Sequence, residues 1–328
     1  MKKFINGKMM NLAEPRLGSK VIFKTDDFFA SANRIINPNP PIFKEGVFDK
    51  HGKWMDGWET RRRRSKGNDY VIIKLGKPGK IKLVDIDTSF FNGNQPEYAM
   101  IEGCFLENNN LKNTKWIKIT KKNKIKPNNN NILKSNSSKT FNFIRLNIFP
   151  DGGVARLRLF GNIDLSLQTI SNNNIIDLAS VINGSQVVAC SDEHFGNANN
   201  ILLPGKSKNM GNGWETRRRR GLGYDWVLLK LGLSGYPTSF EINTHYFKGN
   251  FPDCFSIQAI DHKKNISINS IITNSKKWKT IIAKTKLKPD SSFKIKMLKK
   301  FCKKYNYIKL NIYPDGGISR FRVYGKIK

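Results

Sequence analysis

The chain has 328 residues, 58 Lys and Arg against 25 Asp and Glu, a net charge of +33 and a hydrophobic fraction of 38%. At roughly 150 residues per domain, this length holds about two domains with cores of their own and excludes full disorder. No apolar run approaches the ~20 residues of a membrane helix, and an Asn/Lys-rich bias accounts for the charge without a specific nucleic-acid partner.

The opening MKKFINGKMM lacks the apolar h-region of a secretory signal. Cys104, Cys190, Cys254 and Cys302 are too scattered for a zinc knuckle or a disulfide framework. The expected setting is therefore a reducing one, the cytoplasm.

From Thr25 to Pro38 the chain reads TDDFFASANRIINP, with Asp26 placed to start a short helix. DGWETRRRR follows at Asp56–Arg64. In an extended segment side chains alternate faces, so Arg61 and Arg63 point one way with Glu59, and Arg62 and Arg64 the other. Two readings stay open: an edge strand whose arginines pair with acids, or a clamp for a carboxylate ligand. Glu59 would then accept N–H groups or move a proton, and Trp58 is either core or site.

Val71–Gly76 (VIIKLG) is a short, β-branched-rich run closed by Gly, and reads as a strand. The FNGN of Ile86–Glu97 (IDTSFFNGNQPE) reads as a turn, and KKNKIKPNNNN (Lys121–Asn131) as a solvated loop. Phe143–Phe149 (FIRLNIF) and Val154–Phe160 (VARLRLF) alternate as strands. Pro150-Asp151-Gly152-Gly153 between them has hairpin chemistry.

After a linker marked by SNNN (Ser171–Asn174), every block returns in the same order. SDEHFGNANNILLP (Ser191–Pro204), GNGWETRRRR (Gly211–Arg220), VLLKLG (Val227–Gly232), INTHYFKGNFPD (Ile242–Asp253) and NIYPDGGISRFRVYG (Asn311–Gly325) match their counterparts. The chain is a duplication of one domain-sized unit, expected to divide as 1–163 and 164–328. Many short strands with Gly, Pro and Asn turns predict an all-β chain of two tandem homologous jelly-roll β-sandwich domains. Two histidines occur only in the second copy. His194 stands where the first has Phe28, and His245 where it has Ser89. Each is a surface group, a satisfied core group or part of a site. No phosphate loop, zincin or nucleophile-elbow motif is present. The metal question stays open, since an Asp/Glu/His site can be assembled in space.

These phrases, DGWETRRRR, YVIIKLG, DTSFFNGN and PDGGVARLRLFG with their second set, resemble the allantoicase (allantoate amidinohydrolase) family over nearly the whole chain. The resemblance implies two galactose-binding-like jelly rolls and hydrolysis of allantoate to ureidoglycolate and urea in purine (allantoin) breakdown. No cofactor is firmly implied, and homo-oligomer formation is left open. Glu215, Asp192 and Glu193 would accept ureido N–H bonds, with His194 or His245 as acid or base. Arg217, Arg219 and Trp214, and in the first copy Glu59, Arg61 and Arg63, would bind substrate. Asn212 and Asn243 stand where the family phrases carry Asp. The rival reading is a non-catalytic or degenerate jelly-roll binding protein.

Overall fold

The computed structural model describes residues 5–108, 110–167, 174–262 and 267–327. It is all-β, and two compact units separate along the chain. Met9–Leu167 forms one, and Gln168–Lys328 with Met1–Lys8 forms the other. Ser171, Asn172 and Asn173 of the expected linker lie outside the described residues.

Each unit is organised by one 19-residue strand, Asp69–Asp87 in the first and Asp225–Asn243 in the second. Its first half pairs with Lys20–Lys24 on one side and Thr140–Phe149 on the other. Its second half pairs with Asn130–Lys134 and Arg156–Ile163. The second unit repeats this, with Gln186–Cys190 and Tyr305–Tyr313 along the first half. Ser292–Lys296 and Arg320–Lys326 lie along the second half. One strand thus belongs to both layers of its sandwich. Its apolar positions Val71, Ile73, Leu75, Ile81, Val84 and Ile86 join Ile144, Leu146, Leu157 and Leu159 in one core. The period-2 alternation read from FIRLNIF and VARLRLF is what delivers those side chains to it.

The expected Pro-Asp-Gly-Gly hairpin is not formed. Thr140–Phe149 and Arg156–Ile163 both pair with the long strand and not with each other. The turn is a corner between layers, because Gly153–Val154 pairs with Trp58–Glu59 instead. Asp151 turns outward to accept the Arg63 backbone N–H at 2.7 Å. Gly153 is forced by closeness: a Cβ there would lie 2.0 Å from the Phe91 ring. Gly317 meets Phe247 in the same way. The helix expected after Asp26 is a 3-10 turn, Ala32–Ile36, and its counterpart after Asp192 is another, Ala198–Leu202. The second unit adds an α-helix, Ile268–Asn274, that no sequence signal announced.

The second unit also takes a strand from the start of the chain. Ile5 and Asn6 pair with Cys190 and Ala189, and the Gly7 N–H reaches the Val188 carbonyl at 2.7 Å. No helix among the described residues is long and apolar enough to cross a membrane.

The two copies have diverged at one buried polar position. In the first, Arg145 pairs with Glu102 at 2.6 Å and lies over the Trp116 ring at 4.6 Å. In the second, Lys309 and Gln258 face each other in the same register. Lys309 is 1% exposed and sits over the Trp226 ring at 5.2 Å. Burial, helped by Lys276, pushes this ammonium down to about 8.

Two predictions follow from the packing. Gly317→Ala should lose about 1–3 kcal/mol through overpacking against Phe247, read as a lower midpoint in urea. An ammonium that titrates lower in the folded chain destabilises it at low pH, so stability should rise between about pH 8 and 10.5. Urea melts across that range should show the rise flattened in Lys309→Met relative to the parent.

Candidate functional site

The WETRRRR run leaves the sheet after two residues, Trp58–Glu59 and Trp214–Glu215. Both tryptophans are fully buried, and each indole N–H donates to the carbonyl of Asp26 or Asp192 at 2.7 Å. Trp214 therefore has no surface to offer a ligand. The arginines split as alternation suggested, although in a loop. Arg61 binds Asp26 through its backbone N–H at 2.7 Å and its guanidinium at 2.8 Å. Arg63 holds Asp69 at 2.7 Å. Arg219 is paired with Asp225, and its backbone N–H reaches Asp315 at 2.7 Å. Arg62, Arg64, Arg218 and Arg220 are exposed.

Arg217 departs from its counterpart. Its backbone N–H stays on Asp192 at 2.8 Å, but its Nε donates to His194 Nδ1 at 3.0 Å. Glu193 is occupied structurally. It pairs with Lys8 at 2.6 Å and accepts the Ala198 N–H at 3.2 Å. Glu215 accepts a hydrogen bond from Asn250, as Glu59 does from Asn94. Burial raises the Glu59 carboxyl above its ordinary value, against the opposing hydrogen bond from Asn94.

His245 lies elsewhere, in a cavity of about 640 Å³ at the end of the second unit's long strand. Three neighbouring strands furnish it. Glu241 and Asn243 sit opposite Lys294 and Ser292 on one side, and opposite Arg322 and Arg320 on the other. Because i and i+2 share a face of a strand, these six side chains converge. The loop 205–207 closes the remaining wall.

Glu241 is the best-furnished group there. Its Oε1 accepts Asn243 Nδ2 at 3.0 Å and Ser292 Oγ at 2.9 Å, and its Oε2 accepts the Tyr324 hydroxyl at 3.0 Å. Burial pushes this carboxyl up, but the three hydrogen bonds and Lys294 outweigh it and hold it below the ordinary value. Tyr324 is pushed up to about 12, by burial and then by Glu241. Arg320 is buried, donating to the carbonyls of Gly205 at 3.0 Å and Asn212 at 2.8 Å. Arg322 donates to Leu203 at 2.6 Å and Gly205 at 3.0 Å. His245 Nδ1 is 3.8 Å from Asp290.

The corner after Pro314 touches both groups of residues. Gly317 pairs with Glu215, the Gly316 carbonyl accepts the Thr216 N–H, and the Ser319 N–H reaches the Asn243 carbonyl. In the first unit the matching strand positions are Asp85, Asp87, Asn130, Ile132, Arg156 and Arg158. Burial and then the charge of Asp87 raise Asp85, against its hydrogen bond from Asn130.

A family model described as "Allantoicase repeat" matches residues 10–164 and again 176–328. Two relatives named "Probable allantoicase" are each 46% identical to the chain. The one from Pseudomonas fluorescens aligns over 98% of this chain and 97% of its own. The one from Acinetobacter baumannii aligns over 97% and 94%. The chain belongs to the allantoicase family. The crystal structure of allantoicase from Saccharomyces cerevisiae is 33% identical and superposes with a TM-score of 0.81, covering 97% of this chain and 93% of that one. Two repeats, an all-β fold and a hydrolase of the allantoicase family are thereby established, and the reading as a mere jelly-roll binder gives way.

Against that family background, the candidates of the sequence fall into separate places. Arg217 bonds both Asp192 and His194, and Glu215 joins them through its carbonyl, which takes the His194 backbone N–H at 3.2 Å. Glu193, Arg219, Arg61 and Arg63 are bound to partners of the fold. Of the residues singled out as site candidates, His245 alone lines the cavity. Glu241, Ser292, Lys294, Arg320 and Arg322 were missed. The signal was there in SRFRV, where two charges alternate with apolar residues in both copies. Asn212 gives Arg320 its carbonyl, where Asp56 gives Arg156 a carboxylate at 2.6 Å. Asn243 donates to Glu241, which an aspartate would repel. Among the described residues no three His, Cys, Asp or Glu side chains gather as a metal site.

Replacing Tyr324 by Phe, the residue of the first copy at Phe160, should raise the Glu241 carboxyl by removing one donor. The pH-activity profile should then shift its acid limb upward.

Proposed function

We propose that the cavity of the second repeat is where the chain hydrolyses allantoate to ureidoglycolate and urea. In this reaction water delivers hydroxyl to the carbon bearing both ureido arms, the C–N bond to one arm breaks, and the departing nitrogen takes a proton. Glu241, ionised and fixed, accepts the ureido N–H donors. His245, the imidazole on the cavity wall, carries the proton. The observation behind this reading is the convergence of an ordered carboxylate, a histidine and cationic side chains on one cavity. The charge of +33 would steer an anionic substrate inward. Four free cysteines support a cytoplasmic setting.

A second reading rests on the Arg217–His194 hydrogen bond, which fixes the imidazole with its proton on Nε2. The two readings separate by mutation. His245→Ala and Glu241→Gln should each lower kcat by about 10²-fold or more, measured as urea and ureidoglycolate formed from allantoate. His194→Ala should stay near the parent rate. The opposite pattern would move the chemistry to the Arg217 cluster.

A further inference from the structure

The cavity presents cations to an anionic substrate, yet its guanidinium groups are already engaged. Arg320 spends Nε, Nη1 and Nη2 on the carbonyls of Gly205, Asn212, Ser319 and Lys206. Arg322 spends its Nη groups on Ile201, Leu203 and Gly205, and its Nε lies 3.5 Å from Asp177. Withdrawing either from these loop carbonyls would leave buried acceptors bare. Arg217 and Arg219 do not line the cavity, and Arg219 is held by Asp225.

Lys294 is placed differently. It lines the cavity, its side chain is 73% exposed, and its Nζ stands 3.8 Å from Glu241, too far for a hydrogen bond. The first repeat has Ile132 at the matching register position, 56% exposed, so the strand itself does not require a cation. A cation facing an entering carboxylate offsets the hydration that group gives up there.

Resting on the reading of this cavity as the hydrolytic site, we propose that Lys294 receives the substrate carboxylate and thereby selects ureido acids over neutral ureides. Lys294 and Glu241 then divide the ligand between them. The ammonium takes the one anionic group and the carboxylate takes N–H donors, so a bound allantoate has a single orientation along the strand pair. Its first-repeat counterpart, with Ile132 opposite Asp85, offers no such pairing of charges.

The test exchanges one repeat's residue for the other's. Lys294→Ile should raise KM for allantoate about tenfold, the loss expected for one charge-assisted contact at an open site, with kcat nearly kept. Lys294→Arg should restore most of the affinity. Binding of the neutral primary amide of allantoate, measured as inhibition, should be the same in parent and Lys294→Ile. Thermal melting should be unchanged, since the side chain is exposed. An unchanged KM in Lys294→Ile while His245→Ala is inactive overturns the assignment and leaves the cavity reading standing. So does a rise confined to Lys206→Gln, since the lysine of the 205–207 loop is the other ammonium-bearing residue lining the cavity. If His245→Ala and Glu241→Gln also turn over like the parent, the cavity reading itself fails.

Discussion

A strand that serves two layers at once constrains everything else in each repeat. Side chains along it alternate between faces except where the pairing register shifts near its middle, so which residues enter the core and which face outward is set by the register of each half. At its far end that rule sets Glu241 and Asn243 on one face, and the neighbouring strands add their own outward residues at the same level. The cavity is thus a product of register, held by backbone pairing on both sides. The flanking loop is then tied down by Arg320 and Arg322, whose donors satisfy carbonyls that the sheet cannot reach.

Much of this was legible in the sequence. The duplication, the β class and the strands VIIKLG and VARLRLF followed from repetition and period. The division of the arginine run also held, although its cause is pairing with Asp26 and Asp69 in a loop, not alternation along a long strand. The Pro-Asp-Gly-Gly corner was misread because turn chemistry is local, whereas the partner of Gly153 is Glu59, far away in sequence. The same limit hid the cavity. Nothing near Lys294 in the chain says that Glu241 will stand beside it, and a KIK stretch in a lysine-rich protein looks like any solvated face.

The two copies show how a shared frame can carry unlike chemistry. Both keep the tryptophan, the Glu–Asn hydrogen bond and the buried strand arginine. They differ at open positions and at hydrogen-bonded ones alike. Ser89 becomes His245, Ile132 becomes Lys294, Asp85 becomes Glu241, and Phe160 becomes Tyr324. The last two changes act together, since the longer carboxylate has gained a phenolic donor.

The strand at Ile5–Asn6 makes the duplication inseparable by a single cut. A second repeat released on its own would bare the edge of Gln186–Cys190, whose N–H and C=O groups would be open to another chain. In the first unit the matching strand Lys20–Lys24 pairs with the long strand alone among the described residues, so this added cover is particular to the second copy. The modern tandem has made its first few residues a permanent part of the later domain.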